Sequence, residues 1–375
     1  MRRQLVERHV KKNAAEIADP SNQRGNEMKD LTKVFHSGVA SATLAVMLLS
    51  VAPAAAESGD TIKAIIARGE LLCGVHPSRP GFAAPDDKGN WAGFEADYCR
   101  ALAAVVFGDA TKVRFVALSS QQRFPGIQSG EVDVLARNVS ATMGRDVSLG
   151  LNFTPPIFYT GTGFLVHVDS GIEKLEDLDG ATICMAPGST TEQNIASLFS
   201  ARGMSYTPIV IEDNKQLVAN YVEGRCDALA KDKAALPGVR AIDTENPEEH
   251  KMLPGIFSKE PLAMAVRQGD DHWYDLVKWT VYATFVGEEM GVSQANVDEM
   301  LQSPDPDVQI MLGVTGDLGE KMGVSQDWAY QAIKQVGNYE DIYLRHFGPG
   351  TPIELDRDLN QQWVDGGILY GFPIK

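Results

Sequence analysis

The chain has 375 residues, enough for two domains of ordinary size. Hydrophobic residues make up 44% and charged residues 22%, which excludes a disordered, collagenous or multi-span membrane chain. A net charge of −16 argues against a nucleic-acid binder, and four cysteines without a CxxC pair argue against a structural zinc site.

Residues 1–27 are polar, mixed in charge and free of apolar periodicity, and read as an N-terminal extension. The run GVASATLAVMLLSV at 38–51 is shorter than the roughly 20 residues that span a bilayer. Lys29 and Lys33 precede it, and small residues with Ala52, Ala54 and Ala56 follow. That order is a secretory signal peptide starting near Met28 and removed near Ala56. The competing reading is a buried helix of a cytosolic domain. Residues 1–56 hold eight basic and five acidic residues, so the exported remainder is more acidic than the whole. Export also places the cysteines where disulfides persist.

The spacing of 61–68 (TIKAIIAR) predicts a helix, and LLCGV at 71–75 a buried strand. Residues 77–90, rich in Pro, Gly and Asp, form a loop. A helix is expected through Phe107, a strand at 112–118, a helix at 123–129 closed by Gly130, and a strand at 132–136. The rhythm then repeats: a short helix at 175–178, strands at 181–185, 207–211 and 226–230, and helices at 189–201 and 214–222. Strands alternating with helices give βαβ units and mostly parallel sheets. Each half holds the same unit, QSGEVD at 128–133 and VEGRCD at 222–227, so two similar α/β lobes are expected. Extended segments at 162–166 and 262–266 would cross between them. Lobe one then comprises 57–161 with 267–375, and lobe two 162–266 with the hinge strands. The C-terminal third is more helical, at 273–288, 327–336 and 355–364, with a turn or loop at 303–307. Trp279, Trp328 and Trp363 read as packing residues.

Three features could carry chemistry. GSTTE at 188–192 opens a helix after a strand, and Ser189 with Glu192 fits a capping box. Such a helix start can hold a carboxylate or phosphate, although no lysine follows to make a P-loop. NVSATMGRD at 138–146 lies beyond the end of a strand, where α/β proteins place ligands, and its Arg145 suits a carboxylate. Asp232, past the strand at 226–230, could accept from an ammonium group. Each has a bland alternative as a helix cap, a surface arginine or a solvated acid. Together, Arg145, Ser189 to Thr191 and Asp232 form a receptor for a zwitterion between the lobes. Nothing assembles a catalytic set, metal site or cofactor loop. His76, near the cleft mouth, reads as a solvated loop histidine. Four cysteines allow three pairings, or none if all stay reduced. Only Cys73–Cys99 with Cys184–Cys226 puts one bridge in each lobe and leaves the lobes free to move.

Taken together, LLCGV at 71–75, RFPGIQSGEVDVLARN at 123–138, GSTTEQN at 188–194, GRCDALAKD at 224–232 and SKEPLAMAVRQGDD at 258–271 resemble the family 3 periplasmic solute-binding proteins of amino-acid ABC transporters. The pattern is most similar to their general L-amino-acid-binding branch. The resemblance implies a two-lobed, type II periplasmic-binding fold with a two-strand hinge. It implies a monomer that binds an amino acid without cofactor, metal or catalysis, and delivers it to an inner-membrane permease. Residue by residue, it implies Arg145 for the ligand carboxylate, with Ser189 and Thr190 at the helix start. It implies Asp232 for the ammonium, and Asn138 and Ser140 for the backbone ends. Phe82 and Arg79 fall where relatives place an aromatic wall; Arg79 departs from that pattern, as does the small Ala141. A periplasmic enzyme on the same fold, of the cyclohexadienyl or arogenate dehydratase kind, is the rival reading, with Glu95 or Asp232 as its acid.

Overall fold

In the computed structural model of the chain, residues 59–375 are described. The extension and signal segment expected over 1–56 lie outside them.

The apolar runs form two mixed sheets of the same plan. In the first, Val113–Ala117, Leu71–Val75 and Val134–Ser140 run parallel. Glu260–Arg267 then adds antiparallel to Val134–Ser140, and pairs in turn with Leu151–Phe153 and Phe158–Thr160. In the second sheet, Thr207–Val210, Thr182–Met185 and Ala228–Asp232 run parallel, and Thr162–His167 and His250–Met252 extend it antiparallel. The parallel strands lie in the expected order, but those expected at 132–136 and 226–230 run on to Ser140 and Asp232, so Asn138, Ser140 and Asp232 belong to the strands instead of lying beyond them. Helix Phe94–Phe107 covers the first sheet, and Thr190–Arg202 and Asn214–Val222 cover the second. Gly130 ends the helix Arg123–Ser129 in a left-handed conformation, as expected.

The segment at 262–266 does not belong to the second lobe. It is a central strand of the first sheet, buried along Leu262–Val266. A run buried on both faces must lie inside a sheet; its sequence shows that burial but not which sheet receives it. The chain therefore crosses out at 160–162 and returns before Glu260. Gly161 sits at the first crossing, where a Cβ would collide with Ile256 and the Ser258 carbonyl of the return segment.

The C-terminal third packs on the first sheet. Helix Asp271–Glu289 buries Trp273, whose indole N–H donates to the Asp133 carbonyl at 3.0 Å. Helix Trp328–Gln335 lies where expected and buries Trp328. Helix Tyr339–Phe347 was not anticipated, although Asn338 and Asp341 form its capping box. Helix Pro306–Met311 begins inside the expected turn, with Asp305 as its cap. The helix expected at 355–364 is absent; two single turns, Asp358–Asn360 and Trp363–Asp365, replace it. The side chains there serve distant elements. Arg357 grips both oxygens of Glu288, Asn360 pairs with both backbone groups of Tyr159, and Gln362 donates to the Phe285 carbonyl. Trp363 is 47% exposed against Tyr370, so it is no core residue. No described helix is long and apolar enough to cross a membrane.

Both bridges form one per lobe, Cys73–Cys99 between strand and helix and Cys184–Cys226 between neighbouring segments of the second sheet. Replacing Cys184 and Cys226 by serine is expected to lower unfolding free energy by about 2–4 kcal/mol in a denaturant titration. An unchanged midpoint would show that the bridge contributes nothing.

Candidate functional site

The parallel strands of both sheets end at one cavity of about 480 Å³ between the lobes. His76 follows strand 71–75, Ser119 and Ser120 follow strand 113–117, and Glu212 lies just past strand 207–210. Lys231 and Asp232 end strand 228–232, and Ser189 and Thr190 open the helix after strand 182–185. This is where open α/β sheets place ligands. The lobes touch across the cavity. Asn214 Nδ2 donates to the Ser78 carbonyl at 2.8 Å, Arg123 Nη2 to the Gly188 carbonyl at 3.1 Å, and Ser119 to Glu212.

Of the residues read from the sequence, Arg79, Asn138, Ser189, Thr190 and Asp232 line this cavity. Asp232 is buried and forms an ion pair with Arg79 at 2.5 Å. Asn138 has a positive φ of 46°, and its backbone N–H donates to the buried Glu95 carboxylate. Both polar atoms of its side chain are buried without a protein partner. Strand alternation would send residues 137 and 138 to opposite faces. The left-handed turn at Asn138 breaks that alternation, so Arg137 and Asn138 both reach the cavity.

Ser189 is occupied as a cap: its hydroxyl accepts from Glu192 N at 3.1 Å and donates to the Ala186 carbonyl at 2.8 Å. The expected reciprocal box is half made, because Glu192 accepts from Gly188 N at 2.8 Å instead of from Ser189. The Thr190 and Thr191 amides precede the first intrahelical bonds, so they suit an anion.

Ser140, Arg145 and Phe82 are not on the cavity wall. Phe82 is fully buried and packs its ring against Phe94, Phe158 and Phe347, so it forms core in place of an aromatic wall. Ser140 donates to Glu260, and its hydroxyl lies 3.2 Å from that of Thr190. Arg145 donates to the Ser140 carbonyl at 2.9 Å and stacks over Phe124 at 5.1 Å. Burial lowers its pKa, against the opposing pull of Glu260 and Asp232.

Glu260 was not anticipated. It is buried at the start of the return strand and accepts from Ser140 of the first lobe. It also accepts from Thr190 Oγ1 at 2.8 Å and from Asn194, both of the second lobe. Burial, with the nearby Asp232 charge, pushes its carboxyl up; the hydrogen bonds oppose that. A carboxylate therefore already ties together hydroxyls that the sequence reading assigned to a ligand.

Arg123, Arg137 and Lys231 were missed as well. Arg137 is buried and donates to the Leu118 carbonyl at 2.7 Å and to Ser120. Burial and the Arg79 charge bring its pKa down to about 9. Lys231 donates to Asn214 Oδ1 at 2.5 Å, and burial with Arg79 brings it to about 7. A basic residue inside the apolar run VDVLARN was the available signal for Arg137. His76, expected to be solvated, is 4% exposed and accepts from Ser78 N at 3.1 Å. Burial and the surrounding arginines and lysine hold its pKa well below 6.5, so it is neutral.

Burial raises the Glu95 carboxyl from 4.5 to about 7, against the Asn138 hydrogen bond and the Arg79 and Arg137 charges. Its folded-state pKa exceeds its unfolded value, so its contribution to stability is full below pH 4.5 and fades as pH rises through about 7. Relative to a Glu95→Gln variant, the parent is expected to lose on the order of 3 kcal/mol across that window in denaturant titrations. Identical pH profiles would contradict this placement of the carboxyl.

The cavity is lined by charged and polar groups. Asp232 is held by Arg79, and Glu95 lies behind the wall. Among the described residues, no group of three His, Cys, Asp or Glu is placed to hold a metal ion.

Residues 71–297 match the family described as bacterial extracellular solute-binding proteins, family 3. The general L-amino acid-binding periplasmic protein AapJ of Rhizobium johnstonii is 45% identical over 345 residues, which is 92% of this chain and 99% of that protein. The glutamate/glutamine/aspartate/asparagine-binding protein BztA of Rhodobacter capsulatus is 41% identical over 89% of this chain and 99% of its own length. Among solved structures, an ABC transporter/periplasmic binding protein from Brucella ovis with glutathione bound has a TM-score of 0.83 and 46% identity. It covers 85% of this chain and 100% of that one. None of the three is named as an enzyme.

Proposed function

We propose that the chain, which belongs to the bacterial extracellular solute-binding proteins of family 3, captures L-amino acids or small amino-acid conjugates between its two lobes and hands them to an ABC importer permease. The observation that carries the reading is the cavity itself. It joins a buried carboxylate, an amide with no protein partner, and a helix start in one cavity between the lobes. In this reading Asp232 receives the ligand's ammonium group. The Thr190 and Thr191 amides and the Asn138 side chain receive its carboxylate, with Arg145 and Ser140 supplying charge and support beside them. Ser189 fixes the helix start, and Arg79 shares Asp232 with the ligand.

A ligand held by both lobes makes its full contacts only when they close, so binding shifts the open–closed equilibrium. Names of relatives support a periplasmic receptor. A signal peptide over 28–56 would bring this chain there, where it acts as a monomer on an inner-membrane permease.

The test is a thermal-shift screen of residues 57–375 against the common L-amino acids and glutathione. A ligand at 100 times its Kd stabilises the fold by about 2.7 kcal/mol, which raises Tm by several degrees. Shifts with several amino acids support the reading. No shift with any of these compounds would overturn it.

A further inference from the structure

The cavity holds more positive charge than a zwitterion requires. Its lining includes Arg79, Arg123, Arg137, Lys215 and Lys231, against Glu212, Asp213 and Asp232. Asp232 is taken by Arg79. Asp213 caps the helix Asn214–Val222 through Gln216 N at 2.8 Å, and Glu212 accepts from Ser119.

Among the described residues, Arg123 and Arg137 make no hydrogen bond or ion pair with a carboxylate. Both are at least 97% buried, and their hydrogen bonds go to neutral acceptors: the Gly188 and Leu118 carbonyls and the Ser120 hydroxyl. Arg123 Nε has no partner at all. Behind the wall only Glu95 faces Arg137, and its carboxyl is pushed up toward neutrality. Asp232 acts on both arginines only from a distance, and two buried guanidinium groups with no carboxylate in hydrogen-bond contact gain when an anion arrives. Guanidinium is also the group whose planar fork fits a carboxylate.

We propose that Arg123 and Arg137 form a subsite for a second carboxylate on the ligand, so that the receptor takes acidic amino acids, or conjugates built on them, ahead of their neutral isosteres. The inference rests on the amino-acid reading above. The cavity volume suits it, because about 480 Å³ lies within the roughly 300–1,000 Å³ of pockets that enclose drug-sized ligands. Both arginines line the same cavity as Asp232, Thr190 and Thr191.

Calorimetry with L-glutamate and L-glutamine separates the effects, because the two ligands match in shape and differ in one charge. The parent is expected to bind glutamate at least tenfold tighter than glutamine. In Arg123→Gln and in Arg137→Gln that ratio is expected to fall toward one, chiefly through loss of glutamate affinity. Arg123 also bridges the lobes through Gly188. Loss of that bridge alone would weaken both ligands equally and leave the ratio intact. Because Arg137 is buried, Arg137→Lys is the control for folding: it keeps the charge and is expected to keep a preference for glutamate. Equal affinities in the parent, or an unchanged ratio in both glutamine variants, would overturn the subsite. Failure of every amino acid to bind the parent would instead overturn the receptor reading on which it rests.

Discussion

Asp232→Asn is expected to weaken L-glutamate binding by at least about 30-fold, the lower end of what truncating one partner of a buried charge pair costs. The carboxylate ends strand 228–232 and has only 7% of its surface exposed. One oxygen accepts from Arg79 at 2.5 Å, and a carboxylate has about four acceptor sites, so room remains for an ammonium group. Asparagine keeps the shape but removes the charge. The ligand ammonium then loses its counter-ion, and Arg79 joins the unbalanced cations of the cavity. Calorimetry reads the effect, and a circular-dichroism melt separates it from unfolding. Undiminished affinity in a folded variant would remove Asp232 from the site.

Glu260→Ala is expected to open the ligand-free protein and to weaken amino-acid binding by about 10- to 100-fold. The carboxylate gathers Ser140 from one lobe with Thr190 and Asn194 from the other. Without it, Ser140 and Thr190 keep only their mutual contact and Asn194 only its bond to Thr162 in the closed form, at about 1–3 kcal/mol for each bond lost from a buried group. Opening returns them to water. The penalty therefore falls on the closed state alone, and a ligand must offset it on binding. Small-angle scattering is expected to show a larger radius of gyration for the ligand-free variant than for the parent. Superimposable curves together with an unchanged Kd would show that Glu260 does not govern closure.

These two residues show what could and could not be read in advance. Asp232 was legible because an acid just past an apolar strand has a place in α/β topology. Ser189 was legible because cap chemistry is local, although only the structure shows its hydroxyl fully used by the cap. Glu260 was not legible as a site residue. Ser140, Thr190 and Asn194, which it joins across the lobes, lie 66 to 120 positions away, and the strand that carries it pairs inside the first sheet. Arg137 stayed hidden for another reason: alternation predicts that it and Asn138 face opposite ways, and only the left-handed φ of Asn138 brings both to the cavity. Phe82 was misplaced because an aromatic in a loop gives no sign of its direction; its neighbours in the core, Phe158 and Phe347, come from distant segments. The C-terminal turns escaped because Arg357, Asn360 and Gln362 satisfy distant backbone and charge in place of a helix.

The fold was more legible than the site. Strand and helix order follow from local apolar spacing, and one bridge per lobe, open in the sequence among three pairings or none, is what the structure shows. The charge balance of the cavity needed three dimensions, because Arg79, Arg123, Arg137 and Lys231 belong to four separate segments.

A crystal structure of residues 57–375 with L-glutamate tests most directly where the ligand sits. The expected map places the ammonium group on Asp232, one carboxylate at the Thr190 and Thr191 amides, and the other at Arg123 and Arg137. Glutamate bound outside the cleft, or an inter-lobe cavity that stays empty at saturating glutamate, would contradict it.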